Sequence, residues 1–233
     1  MKEMFSRTVN LLGEEKFNKL KNSNILLFGV GGVGGYIFES LVRAGVENIT
    51  IVDADVVEES NLNRQIIATK DSLKKDKVLV AKERALTINE DAKIKTLKTF
   101  ITPENLENID FKPFDFIIDA IDFTPAKIAI IKKAKEENIN IISSMGTGNK
   151  LHPEKFEIAD ISKTEVCPLA KVIRQNLKKD GIKNVPVLFS KEVPLTPKAS
   201  ENGKHVPATL STVPAVAGLL IANYVILKIT EEN

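Results

Sequence analysis

Apolar residues along this chain concentrate in short segments at residues 25–28, 49–52, 94–97, 116–121, 139–143, 156–159 and 185–189, several of them carrying one or two polar residues. Runs of that length, bounded by polar or glycine residues, predict strands buried on both faces. Between several of them the period lengthens to that of a helix. This predicts helices over 34–44, over 77–89 with Val78, Ala81, Ala85 and Ile88 on one face, and over 125–137, where Pro125 suits a first turn and Thr124 is placed to cap it. Residues 4–20 also carry apolar positions at helical spacing, and the polar Lys21-Asn22-Ser23-Asn24 then leads into the first strand, so residues 1–24 read as a helical arm. Strand and helix alternate, which predicts a mostly parallel sheet with helices on both faces. Residues 194–207, with Pro197 and Gly203 among polar neighbours, read as a mobile loop. Residues 213–229 are almost wholly apolar and nearly long enough to span a bilayer. Asn223 and Lys228 interrupt that run, so we expect a helix buried against the sheet and no stable membrane insertion.

Composition narrows this picture without redirecting it. A chain of 233 residues, 43% hydrophobic and 27% charged, is expected to form a single globular α/β domain over 1–233. Its single cysteine, Cys167, excludes an internal disulfide and any zinc site built from two C-x-x-C pairs. The start Met1-Lys2-Glu3-Met4 carries an acid and no long apolar run, unlike a secretory signal, and a cytoplasmic setting is expected. Net charge is only +2, yet residues 163–204 hold nine Lys and Arg against four Asp and Glu, a segment at +5 beside a remainder at −3. That bias suits either a solvated face or a polyanion such as an RNA backbone.

Chemistry enters at the first strand. Gly29, Gly31 and Gly34 have the G-x-G-x-x-G spacing, and Gly32 and Gly35 add further freedom. In such a loop one glycine permits the turn, one lets backbone approach phosphate, and one lets helix pack on strand. Asp53, at the end of the next run, stands where a carboxylate binds ribose hydroxyls. These features predict a Rossmann-like fold, and by themselves they fit an NAD-dependent dehydrogenase as well as an ATP site. Asp55, then Asn61-Leu62-Asn63-Arg64-Gln65, then Lys77 add cations that a plain dinucleotide fold does not need, so they point to a triphosphate. Asp122 follows the run 116–121, at the sheet edge where such folds bind ligands, although it could instead cap the helix at Pro125.

Gly29 to Gly34, Asp53-Ala54-Asp55, Ser60 to Gln65, Lys77 and Asp119-Ala120-Ile121-Asp122 together resemble the ubiquitin-activating-like ThiF/MoeB/HesA superfamily. The second half, in Ile142 to Gly148, Ala159 to Thr164, Pro168 to Val172 and Phe189-Ser190-Lys191-Glu192, resembles its tRNA threonylcarbamoyladenosine dehydratase branch. The resemblance implies that Gly32 meets the nucleotide, that Asp53 binds ribose, that Asn61, Arg64 and Lys77 hold the triphosphate, and that Asp122 is associated with Mg²⁺. It further implies that Arg7 reaches the active site of a neighbouring subunit, which requires a homodimer. The implied reaction is ATP-dependent cyclisation of the threonylcarbamoyl carboxylate on tRNA through an acyl-adenylate. Lys163, Lys171 and Arg174 are the candidate tRNA contacts.

Departures from the family pattern narrow the reading. Met4 stands where many relatives have a second arginine, and Cys167 where the dehydratase branch commonly has aspartate. With no basic neighbour in sequence, Cys167 reads as an ordinary small residue. The main rival activity is adenylation of the C-terminal glycine of a ubiquitin-like sulfur carrier, whose usual zinc pairs are missing here. A sulfur-relay protein is a further candidate partner. His152 and His205 are too few and too separated for a metal site, though His205 could carry a proton.

Overall fold

The computed structural model describes residues 3–196, 200–201, 204–205 and 207–231, so the expected mobile loop lies partly outside the described residues. The arm is two helices, α1 (Ser6–Leu12) and α2 (Glu14–Asn22), separated by Gly13 at φ +82°, a backbone conformation that a side chain would strain. The expected helical arm is present, and Gly13 is where it breaks in two.

The chain then alternates β1 (Asn24–Phe28), α3 (Gly34–Ala44), β2 (Asn48–Val52), α4 (Lys77–Ile88), β3 (Lys93–Leu97), β4 (Phe116–Asp119), α5 (Thr124–Glu136), β5 (Asn140–Ser144) and β6 (Phe156–Asp160). It closes with α6 (Pro168–Lys179), β7 (Pro186–Ser190), a two-stranded ribbon of β8 (Ser200–Glu201) and β9 (Lys204–His205), and α7 (Thr212–Thr230). Every expected strand is present within a residue or two. Helix α6 was not expected from the pattern: only Ala170, Ile173 and Leu177 are buried, in a segment otherwise rich in Lys, Arg and Gln.

Seven strands form one sheet in the order β3-β2-β1-β4-β5-β7-β6, parallel throughout except for β6 against β7. Along β1, Ile25 and Leu27 join a core shared with α3, α4 and α7, while Leu26 and Phe28 join a second core with α5 and α6. A strand covered on both faces has no polar alternation, which is why it reads as a continuous apolar run. Strand order reverses direction at β1: the chain builds outward through β2 and β3, then crosses back to place β4 on the other side. The crevice at the carboxyl ends of β1 and β4 is the switch point where sheets of this kind bind ligands.

Helix α7 packs one stripe, including Val213, Ala217, Ile221 and Val225, into the first core. Its other side leaves Leu219 and Leu227 about half exposed, at 48% and 47%, so it is a surface helix with one buried face and not the fully buried helix expected. By length and composition alone it is the one described helix apolar enough to cross a membrane. Gly218 sets its docking distance, since a Cβ there would stand 2.5 Å from the Val33 carbonyl oxygen and 2.8 Å from Tyr36 Cβ.

Candidate active site

The glycine loop leaves β1 at Gly29, whose φ of +87° turns the chain sharply beneath the β4 edge. A Cβ at Gly29 would lie 2.8 Å from the Ala120 carbonyl oxygen, and one at Gly34 would lie 1.9 Å from the Gly29 carbonyl oxygen, so both positions exclude any side chain. Helix α3 begins at Gly34 with no side-chain cap; the Gly35 N–H donates to the Gly31 carbonyl at 2.9 Å and the Tyr36 N–H to the Val33 carbonyl at 3.1 Å, so what the helix start offers an anion is the positive end of its dipole beside the glycine loop. Gly32 is flanked by Pro214 of α7 and the stem of Arg64, each within 3.6 Å of where its Cβ would be.

Gly29, Gly31, Gly32, Asp53, Asp55, Asn61, Arg64, Lys77 and Asp122 line a single cleft of about 530 Å³. Gly34 lies behind it, closing helix onto strand. Asp53 directly follows β2 and holds the loop: Oδ2 accepts from the Val30 N–H at 2.8 Å and Oδ1 from the Asp55 N–H at 2.9 Å. Burial pushes its carboxyl up from the ordinary aspartate value, against the lowering effect of those two N–H donors and of the Lys77 charge. Lys77 opens α4 almost fully buried, with Nζ 2.7 Å from Asp55 Oδ2, while Asp55 itself stays 66% exposed. A buried ammonium whose carboxylate partner faces solvent is placed to exchange that partner for phosphate.

Arg64 donates from Nη1 to the Ser60 carbonyl at 2.8 Å and to Asn63 Oδ1 at 2.9 Å, which fixes the guanidinium against the cleft wall. Asn61 is buried and accepts from the Glu58 N–H at 3.1 Å, so it shapes the same turn. Asp122 is exposed at the cleft, two residues before α5. The alternative role of helix cap does not hold, because α5 starts at Thr124 with Phe123 as its N-cap and no side-chain cap at all; Thr124 is likewise inside the helix and caps nothing.

Several lining groups escaped the sequence reading. Gln65 is 6% exposed at the cleft wall, with Oε1 buried and unpartnered. Thr99, Phe100, Ile101, Phe123 and Leu169 form an apolar end to the cleft, where Phe100 and Phe123 lie ring to ring at 5.2 Å. The glycine-rich stretch Met145 to Asn149, which the sequence does mark as a second loop on the same edge, brings Gly146, Thr147 and Gly148 to the cleft. The buried Lys150 Nζ donates to the Gly146 and Gly148 carbonyls at 3.0 and 3.2 Å, and Asn149 ties that loop to Ala208. Desolvation lowers the Lys150 ammonium pKa, opposed by nearby Cys167 and Glu192. Lysine in a run of polar residues gives no sequence cue to burial.

Other candidates stand elsewhere. Arg7 is exposed on α1 and does not line the cleft. The arm packs through Phe17 against Gly45, at the carboxyl end of α3 and so at the far end of that helix from the glycine loop. Arg174 is not a free cation: its Nη1 donates to the Thr164 carbonyl at 2.7 Å and to Thr164 Oγ1, bracing the turn before α6. Lys163 and Lys171 are exposed. Cys167 is buried at the N-cap of α6, outside the cleft, and the sequence neighbourhood did not reveal that Lys150 lies near it. His152 pairs with Glu154 at 2.8 Å on the surface, and the side chain of His205 lies outside the described residues.

This architecture has close counterparts among known proteins. Residues 5–233 match the ThiF family. The tRNA threonylcarbamoyladenosine dehydratase of Bacillus subtilis is 38% identical over 100% of this chain and 96% of that protein. Among solved structures, E. coli tRNA N6-threonylcarbamoyladenosine dehydratase in complex with AMP superposes at a TM-score of 0.90 with 30% identity, covering 97% of this chain and 94% of that one. The same E. coli enzyme in complex with ATP gives a TM-score of 0.88, covering 97% and 93%.

Proposed function

Because this chain belongs to the ThiF family, we propose that its cleft binds ATP and activates the threonylcarbamoyl carboxylate of a modified tRNA adenosine as an acyl-adenylate, the first step of an ATP-dependent dehydration. The observation that carries this reading is the convergence of an uncapped helix start, a ribose-type carboxylate, two cations and an exposed acid at one sheet edge.

The carboxylate oxygen attacks the α-phosphorus of ATP, the P–O bond to pyrophosphate breaks, and a mixed anhydride forms. A carboxylate is a poor electrophile, whereas the anhydride expels AMP readily. A ureido nitrogen of the same nucleoside then attacks the activated carbonyl and loses its proton as AMP departs, closing a five-membered ring with net loss of water. Because that attack is intramolecular it gains from proximity, for which effective molarities reach about 10⁵ M or more. No enzyme thiol takes part, which suits a chain whose lone cysteine is buried outside the cleft.

The protein supplies electrostatic placement. The glycine loop and the positive end of the α3 dipole face the phosphates, Asp53 accepts from ribose hydroxyls, and Lys77 and Arg64 offset negative charge as pyrophosphate leaves. Among the described residues no cluster of three or more His, Cys, Asp or Glu side chains offers a protein-built metal cage. That donor set fits Mg²⁺, which takes a carboxylate such as Asp122 together with phosphate oxygens and waters. The role of Mg²⁺ would be to shield the phosphate oxygens. Arg7 would complete the cleft of a second copy in a homodimer. The sulfur-carrier alternative uses the same ATP chemistry, and the absent C-x-x-C pairs weigh against it.

The test is to incubate the protein with ATP, Mg²⁺ and threonylcarbamoylated tRNA, digest the RNA and weigh the nucleosides. Loss of one water from the modified adenosine is expected; an unchanged nucleoside, with AMP formed only when a sulfur-carrier protein is added, would transfer the chain to the alternative. Arg64→Ala should lower pyrophosphate release by roughly 10²–10³, as loss of one preorganised donor does.

A further inference from the structure

Beneath the cleft lies an ion pair that no step above uses. Asp119, the last residue of β4, and Lys127, in the second turn of α5, are both wholly buried, with Nζ 2.9 Å from Asp119 Oδ2. The same ammonium donates to the Ile121 carbonyl at 2.9 Å. Asp119 Oδ1 accepts from the Ile121 N–H at 3.3 Å, and its Oδ2 also accepts from Ser143 Oγ of β5. Both polar groups of the Ile121 backbone are therefore held by one buried charge pair.

Held at that point is the peptide unit that leads into Asp122. Its carbonyl, that of Ile121, is pinned by Lys127, so the direction in which the chain enters Asp122 is set from below. One residue earlier, the Ala120 N–H donates to the Phe28 carbonyl at 2.8 Å, and the Ala120 carbonyl is the oxygen that Gly29 must be a glycine to accommodate. The turn 119–122 is thus fastened to β1, β5 and α5 at once. Burying two charges is expensive, and a turn that only needed to be stable could be built with apolar groups at no loss. What the pair adds is a fixed direction for two backbone dipoles and one carboxylate.

We propose that Lys127 is a positioning residue: paired with Asp119, it clamps the Ile121 peptide so that Asp122 presents its carboxylate to the phosphate-bound cation. The inference rests on the reading of Asp122 as the Mg²⁺-associated acid. Outer partners that orient a metal-binding side chain change metal affinity by about 10–100-fold when removed. Lys127→Met keeps the stem and deletes the charge, and Asp119→Asn/Lys127→Met removes both charges, so the second variant is free of the buried unpaired carboxylate that could unfold the first.

The full-length chain and both variants would be compared in pyrophosphate release against Mg²⁺ concentration, in thermal midpoint, and in ATP binding measured in excess EDTA, alongside Asp122→Ala. The expected result is a Mg²⁺ half-saturation raised about tenfold or more in the double variant, with metal-free ATP binding unchanged. A folded double variant with the parent's Mg²⁺ dependence, next to an Asp122→Ala chain that has lost turnover, overturns the clamp and leaves the functional reading standing. Normal turnover in Asp122→Ala overturns the role given to that acid and the clamp with it. A double variant that loses metal-free ATP binding as much as Mg²⁺ response also overturns the clamp, because the pair would then support the whole cleft and not the acid.

Discussion

Single side chains at this site are defined by what they hold before any ligand arrives. Asp53 is the clearest case, since each carboxylate oxygen already accepts from a backbone N–H, one of them in the glycine loop. Its folded pKa is raised, chiefly by burial. A raised acid takes up its proton at higher pH than in the unfolded chain, so the stability cost of keeping it ionised is full at pH above the raised value, shrinks as pH falls from there, and is gone below the ordinary aspartate value. Protonation also removes lone pairs that hold the loop and would accept ribose hydroxyls. The apparent KM for ATP should therefore rise on the acid side, starting above the range of an ordinary aspartate. In Asp53→Asn that acid limb should be flat, at a KM that is high throughout; a limb that persists in Asp53→Asn would assign it to another group.

Much at this scale was legible from spacing alone. Gly29, Asp53, Lys77 and Asp122 are far apart in sequence, yet each sits by a strand end or helix start whose position the apolar pattern reveals, whereas Asn61 and Arg64, in the loop between β2 and α4, stood out by their motif. What stayed hidden was the second layer. Lys127 stands in an apolar stretch and Lys150 in a polar glycine loop, neither of which says which way a lysine side chain turns, and only the fold shows that their ammonium groups are buried against carbonyls. Arg174 erred in the opposite sense, because a cation on a basic segment looks free until Thr164 is brought to it.

At the scale of elements, the sheet was readable because strands buried on both faces carry no polar residues to interrupt them, as in β1 and β4. Helix α6 was not, since three buried positions in twelve residues leave its charged face dominant. For α7 the reverse holds: its apolar sequence implied burial all round, and the fold leaves Leu219 and Leu227 half exposed. The contact between α3 and α7 has its own test. Gly218→Ala would place a Cβ 2.5 Å from the Val33 carbonyl oxygen, so α7 must move outward. Overpacking of this kind costs about 1–3 kcal/mol. Chemical denaturation should register that loss, and ATP binding should weaken too, because Pro214 at the start of the same helix lines the cleft beside Gly32. Unchanged stability would mean that the helix pair has slack that the close approach does not suggest.

For the whole molecule, the arrangement of arm and cleft bears on assembly. Arg7 lies on the arm, which packs near the far end of α3, and is absent from its own cleft, so any part it plays in catalysis must be in another copy. Chains carrying Arg7→Ala and chains carrying Arg64→Ala should each be impaired alone. Mixed so that subunits exchange, they should recover activity, because one site in each mixed dimer then has both arginines. Failure to recover, with exchange shown by mass, would assign Arg7 to the surface. The cleft itself makes the larger claim, that this chain activates a carboxylate by transferring AMP to it. The direct measurement uses threonylcarbamoylated tRNA whose carboxylate oxygens are ¹⁸O, incubated with the protein, ATP and Mg²⁺. When the anhydride is opened by the ureido nitrogen, one of those oxygens leaves on phosphorus, so the account predicts labelled AMP and unlabelled pyrophosphate. Label appearing instead in inorganic phosphate, with ADP as the partner product, would contradict it.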